Sequence, residues 1–513
     1  MPPLVTFRFR IAIVAITSVV AVHAQGPPAS QSASPLVNQV PLSGRTGQTG
    51  SVSAGQSPVA GTTNSVNTIN PTIQVQGPYS GSVPGGGPAP DKLTLEEAMK
   101  RGLEFNLGTR GLTYAIRQAQ GQATVVRGSL MPNVNGSVAE TVQQTNLRAQ
   151  GLRISIPIPG VAFPTIVGPF NYFDLRARLT QSIANLTALN NYRSAKESLH
   201  AAEFLSKDAK DLVVLAVGGA YLQVAAARAR VISARSQVAA ADALFQQTGQ
   251  QRAVGLVAQI DVNKNEVQSL TQKQRLATLE NDLSKQKINL ARIIGLPPND
   301  HFDIANDIPY AESPAITQDD AVAEALSKRP DIQASETQIR AAERARDAAR
   351  AERMPSLAMN ADYGVIGTNP AQSHGTFSVT GTLSIPIWQG GRANGDIEQA
   401  SAALDQRRAE LADTRSLVES EVRNAYLDIG SAASQVQLAQ RNLDVTRQTL
   451  DLTRQRFEAG VTDTVDVSQT QAAVAAAELD YINGVFAHNV AKLNLARAAG
   501  DAADNLGRFL KLQ

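Results

Sequence analysis

Apolar residues recur at strict sevens through the second half of this chain: Val422, Ile429, Val436, Leu443, Leu450 and Phe457. A heptad row kept over five intervals predicts an α-helix packed lengthwise on a neighbour. Leu404, Leu411, Val418 and Ala425 form a companion row that completes the seam. A further row, Leu438, Val445, Leu452 and Ala459, lies two residues on, about 200° round the helix. A helix with apolar seams on opposite faces needs a neighbour on each side. One helical hairpin supplies only one, so the pattern predicts a layer of helices closed on itself by other protomers. No proline occurs from Phe170 to Leu296 or after Pro386, and the predicted helices run over about 183–254 and 387–459. At ~1.5 Å per residue each spans on the order of 100 Å, the reach of a spacer or a conduit.

Upstream of each long helix the period changes to two. Leu357, Met359, Ala361, Tyr363 and Val365 alternate with Ala358, Asn360, Asp362 and Gly364. The return run sets Phe377, Val379, Gly381, Leu383 and Ile385 against Thr376, Ser378, Thr380, Thr382 and Ser384. Earlier in the chain, Phe173, Leu175, Ala177, Leu179 and Ile183 alternate with Asp174, Arg176, Arg178 and Thr180, after a weaker run at Val134, Val138 and Val142. Strands of ~10 residues with one apolar and one polar face fit a transmembrane β-strand. A soluble amphipathic hairpin has the same pattern.

The two halves are copies. The turn VGLVAQIDV (254–262) falls on AGVTDTVDV (459–467) at an offset of 205, which places Gly255 on Gly460, Asp261 on Asp466 and Val262 on Val467. The same offset carries Ala220, Tyr221 and Leu222 onto Ala425, Tyr426 and Leu427. Matches in one register over about eighty residues indicate a tandem duplication, and each turn becomes the far end of a helical hairpin. Thr94 with Glu97 and Thr317 with Asp320 open each copy at capping-box spacing, offset by 223. The change of offset leaves about eighteen extra residues in the first copy, around Gly151 to Pro169, expected as a longer loop at the strand tip. The repeats are assigned to 91–310 and 311–513.

Residues 1–24 read as a secretory signal: Arg8 and Arg10, an apolar run from Ile11 to Val22, then a small-residue site at Ala24. Residues 25–90, rich in Ser, Gly, Pro, Thr, Asn and Gln with one charge at Arg45, are expected to be disordered. Without Arg8 and Arg10 the balance is 45 basic against 45 acidic residues, which gives no reason to expect nucleic acid as a partner. There is no cysteine, so no disulfide and no thiolate site. The five histidines lie far apart, and no nucleophile constellation or phosphate-binding loop occurs, so neither cofactor nor enzymatic activity is expected.

Signal, duplicated layout and the paired turns together resemble the outer-membrane efflux protein family, the TolC-like channels, over about residues 91–505. The resemblance implies a fold that is mainly α with a membrane β-barrel: a homotrimer whose four strands per protomer make a 12-stranded barrel in outer-membrane lipid, above a periplasmic α-barrel. It implies a passive exit duct of a tripartite efflux or type I secretion system. An inner-membrane transporter supplies energy and cargo choice, and a periplasmic adaptor docks on the helical tips at Gly255, Leu256, Val257, Asp261, Val262, Gly460, Val461 and Val467. The pore-entrance gate maps to Asp466, Gln469, Thr462 and Phe457. Well-known members have a second acid where this chain has Gln469, and an Arg and a Tyr where it has Thr462 and Phe457. Asp261 and Asp466 also fit plain helix caps, and three copies of Asp466 fit an acidic ring. A periplasmic coiled-coil adaptor or scaffold is the alternative, against which the run from Thr376 to Ile385 argues.

Overall fold

The computed structural model describes residues 50–58, 65–67, 69–85, 87, 90–151, 164–305, 310–311, 316–500, 502–503, 507 and 509–510. The signal at 1–24 and most of the extra loop, residues 152–163, lie outside the described residues.

Each copy has the same order. The first runs α1 (Leu95–Phe105), α2 (Leu107–Gly128), β4 (Asn133–Asn146), β5 (Ile166–Ala184), α3 (Leu186–Ala253) and α4 (Gln259–Ile294). In the second come α5 (Gln318–Lys328), α6 (Pro330–Ala351), β7 (Ser356–Gly367), β8 (His374–Ser384), α7 (Arg392–Glu458) and α8 (Thr464–Ala499). The Thr94 and Thr317 hydroxyls accept from the Glu97 and Asp320 amides at 3.2 and 3.3 Å, which fixes the start of α1 and α5. The long helices have 68 and 67 residues without a break, as the absence of proline allows.

Helices pack in one layer. Toward the strands the order is α2, α3, α6, α7; toward the tip it is α4, α3, α8, α7. In α7 the first seam is buried: Leu404, Val418, Val422, Ala425, Ile429, Val436, Leu443 and Leu450 all lie in the interior. The second seam is bare, with Leu438 65%, Val445 45% and Leu452 61% exposed. At the other border α4 leaves Ile260, Val267 and Leu270 exposed, and α2 leaves Tyr114 and Val125. Both borders of the layer therefore present unpartnered apolar surface.

The main core lies midway along the helices, where α1, α5 and a parallel pair, β3 (Lys92–Leu93) with β6 (Asp303–Ile304), form a belt across the layer. The belt is tied on by Tyr221, whose hydroxyl donates to Leu93 O at 3.1 Å, and by its repeat mate Tyr426, which donates to Ile316 O at 2.7 Å. Ten successive residues of α3, Val213 to Leu222, are buried, so the helix is covered all round there. The helix is apolar and long enough to cross a membrane, yet its apolar window is mostly buried inside the fold. Arg329, 2% exposed, is held by Asp331 at 2.6 Å and by Glu421 of α7, and Arg497 of α8 meets Asp208 of α3 at 2.8 Å.

Part of the extension expected to be disordered is folded. Strands β1 (Val52–Pro58) and β2 (Ile69–Val75) pair antiparallel from Val52↔Val75 to Pro58↔Ile69. Val52 is buried and Ala54, Ile73 and Val75 pack on the main core, while Ser53, Gly55, Ser57 and Gln74 stay exposed. The hairpin needs no core of its own because α3 and α8 supply one; Gly219 leaves the space that Ile73 fills. Average composition, the basis for expecting disorder, does not register seven-residue strands that borrow a surface.

His488 is fully buried in α8, 4.8 Å from the Tyr310 ring. Burial and nearby Lys492 hold its pKa down to about 4, below the ordinary 6.5. The folded state thus keeps the ring neutral while the unfolded chain binds a proton near pH 6.5. That contribution is complete above pH 6.5 and is lost as pH falls toward 4, up to about 3 kcal/mol. Unfolding at pH 7 and pH 4.5 should show a steeper acid loss for the parent chain than for His488→Gln; equal slopes would remove this role for His488.

Candidate functional site

Two parts of the molecule are built for contact with something outside the chain: the helical tip and the strand sheet. At the tip, α3 ends with Gly255 at φ 81° and α7 with Gly460 at φ 73°. The amide of Gly255 donates to Arg252 O at 3.0 Å and that of Leu256 to Gln251 O at 2.9 Å. Gly460 and Val461 repeat this on Phe457 O at 3.0 Å and Arg456 O at 2.9 Å. Both turns are Schellman closures, in which a left-handed residue lets the chain fold back over the last carbonyls. No atom lies within 4 Å of a Cβ added at either glycine, so the backbone conformation alone calls for glycine.

The returning helices begin differently from the expected Asp261 and Asp466 caps. Asp463 caps α8, its Oδ1 accepting from the Val465 and Asp466 amides at 3.0 and 3.1 Å. Ala258 precedes α4 and offers no side-chain cap. Asp261 and Asp466 sit in the first turn, where a carboxylate favours the helix dipole without capping it. Asp261 lies 3.7 Å from Lys264. Asp466 accepts a hydrogen bond from Thr462 Oγ1, which brings two of the four gate positions together. Gln469 is exposed one turn on, and Phe457 is half-buried at the end of α7.

Val467 is buried, while Val257 and Val262 are half-buried and hold the turns to the helices. Val254, Leu256, Ile260 and Val461 are exposed, between 61% and 74%. Four bare aliphatic side chains on two adjacent turns make a small apolar contact surface at the end of the molecule. Leu256 and Val461 were legible from the paired turns; Val254 and Ile260 were not singled out, although both lie within the first turn's motif.

At the opposite end, β4, β5, β7 and β8 form one antiparallel sheet in that order. Residues directly opposite share a face, and the register sets Val138 beside Leu175, Leu175 beside Val365, Ala177 beside Tyr363 and Tyr363 beside Phe377. This face is apolar and bare: Val134, Val138, Val142, Tyr363, Phe377, Val379 and Leu383 are all more than 60% exposed. The other face carries Asp174, Arg176, Arg178, Asn360, Asp362, Ser378 and Thr380, with Arg176 bonded to Asp174 at 3.2 Å and to Asp362. β4 and β8 are each paired on one side only. Beyond β8 lie Ile387 and Trp388, 94% and 88% exposed. Trp388 is the sole tryptophan of the chain, and an aromatic at a strand end suits a membrane boundary. Among the described residues no group of three or more His, Asp or Glu is placed to hold a metal ion.

Comparison with known proteins agrees with this geometry. The family model described as "Outer membrane efflux protein" matches residues 112–296 and 321–501, one match in each copy. Outer membrane protein OprJ of Pseudomonas aeruginosa is 26% identical over 81% of this chain and 85% of its own length. The pyoverdine export outer membrane protein OpmQ of the same organism is 24% identical over 79% of this chain and 85% of its own. The crystal structure of the Campylobacter jejuni CmeC outer membrane channel superposes with a TM-score of 0.67 at 17% identity, covering 80% of this chain and 86% of that one. VceC of Vibrio cholerae gives the same TM-score and identity over 79% and 96%.

Asp463→Ala should fray the first turn of α8, at a cost of about 1 kcal/mol. Amide exchange at Val465 and Asp466 should quicken correspondingly, and Asp466→Asn should leave it nearly unchanged. The reverse order would return the cap to Asp466.

Proposed function

The chain belongs to the outer membrane efflux protein family, and from that premise we infer that it is an outer-membrane exit duct reaching into the periplasm. The observation that carries the reading is the pairing, in one chain, of a bare-faced four-stranded sheet with two unbroken helices of 68 and 67 residues. The apolar face of the sheet suits lipid and the charged face suits water, the arrangement of a barrel wall. A periplasmic adaptor has use for the helices and none for such a sheet.

In the proposed assembly, three protomers combine their strands into a 12-stranded barrel and close the helix layer into a periplasmic tube. Repeats 91–310 and 311–513 contribute equivalent halves of each protomer's wall. The bare residues Leu256 and Val461, with Gly255, Val257, Asp261, Val262, Gly460 and Val467 shaping the turns, form the docking surface for a periplasmic adaptor. An inner-membrane transporter supplies the energy, and cargo is chosen there. Asp466, bonded to Thr462, stands in three copies at the pore entrance with Gln469 and Phe457 beside it.

Outer-membrane fractions run on gels with and without boiling should show a heat-labile species of three chains. Recovery only in the soluble periplasmic fraction would end this reading. For the gate, Asp466→Asn should weaken block of single-channel current by multivalent cations, because three carboxylates leave the entrance. Identical block in both proteins would confine Asp466 to the helix terminus.

A further inference from the structure

The helix layer is covered on both faces at mid-height, and the covers differ. Helix geometry places them. Along α8 the hairpin of β1 and β2 is bound at seven-residue steps. Asp480 accepts from Ser65 Oγ and Val66 N, both at 2.7 Å; Ala487 O accepts from Gln56 Nε2 at 3.4 Å; Asn494 Nδ2 donates to Ala54 O at 3.1 Å. Val485 and Asn489, which with Tyr310 of the belt line a groove of about 500 Å³, lie roughly 160–200° round the helix from Ala487. On α7, Gln435 Nε2 donates to Val66 O at 2.8 Å while Tyr426 holds the belt. Nine residues separate these two, about half a turn at 3.6 residues per turn. Both helices give the same answer: hairpin and belt lie on opposite faces of the layer.

When such a layer closes into a tube, one face becomes the lumen. Asp480 stands eleven residues from Gln469, almost three whole turns, so the hairpin anchors share a stripe with the pore-entrance position. Among the described residues, the belt face carries α1, α5, β3, β6 and Tyr310 with Ala311 between the repeats, and the opposite face carries the smaller hairpin. A concave face has room for the smaller cover. We propose that the β1–β2 hairpin lies inside the conduit, and that three copies form a collar which narrows the lumen and selects cargo by cross-section. This rests on the exit-duct reading. The collar shows the lumen Ser53, Gly55, Ser57 and Gln74, all exposed and uncharged, so it discriminates by size and not by charge. Asp480, only 4% exposed with both carboxylate oxygens bonded to the hairpin, is the principal anchor.

Single-channel conductance in planar bilayers tests this with the full chain, a variant lacking residues 50–75, and two single-cysteine variants of this cysteine-free chain. Removing the collar should raise conductance roughly two-fold or more; an unchanged value overturns the collar. Independently of that deletion, Ser53→Cys treated with a bulky thiol reagent should lower conductance in steps, whereas His301→Cys on the belt segment should not respond. Response at His301→Cys with none at Ser53→Cys puts the hairpin outside the tube and overturns the proposal. If the full chain forms no channel, the exit-duct reading fails first, and the collar with it.

Discussion

A strand at the edge of a sheet within a bilayer has nowhere to send its outer N–H and C=O groups, and every other feature of this molecule answers to that constraint. β4 and β8 are the two edges of the sheet, and in the proposed barrel they meet that constraint. The helices carry the same demand in apolar form: α7 leaves Leu438, Val445 and Leu452 bare on one border, and α4 leaves Val267 and Leu270 bare on the other. A chain incomplete at both borders of both layers cannot be finished by folding alone. In the proposed assembly, one rotation that sets β8 against β4 of the next copy also sets α7 against its α4, so that a single closed ring would satisfy sheet and helices together.

Duplication explains why the wall is so regular and where it is not. Each repeat supplies a strand pair, a long helix, a glycine closure and a returning helix, and the two closures match bond for bond at Gly255 and Gly460. The copies diverge at the starts of their returning helices and in what packs on them. Asp463 caps α8 and nothing caps α4; Asp466 bonds Thr462 while Asp261 faces Lys264. The hairpin of β1 and β2 precedes only the first repeat, yet it is anchored mainly on α8 of the second. Its binding ties the two copies together across α3 and α8.

Long elements were legible in the sequence, because each carries a period repeated many times. The heptad rows of α7 separated its two seams correctly: Val422, Val436 and Leu443 are buried, and Leu438 and Leu452 await a neighbour. Period-two runs located all four strands, although β5 has 19 residues and extends well past the apolar span. Local chemistry was less legible. Asp463, three residues before Asp466, caps α8 instead, because the cap is set by where the helix begins, which a motif cannot specify. The hairpin at 52–75 escaped because its apolar residues are few and its stability comes from helices more than 400 residues away in sequence, through Asp480, Ala487 and Asn494. Trp388 attracted no attention as a lone residue, and only its place after β8, almost fully exposed, marks it.

The central claim is that the bare seam of α7 meets the bare border of α4 in another copy of the chain. Leu452 lies six residues from the end of α7 and Val267 eight residues into α4, within about 3 Å of the same height at 1.5 Å per residue. Oxidation of a chain carrying both Leu452→Cys and Val267→Cys should yield a covalent species of three chains that stops there, with each single variant remaining uncrosslinked. Monomer alone, or a ladder running on past three, would contradict closure of the layer by three copies.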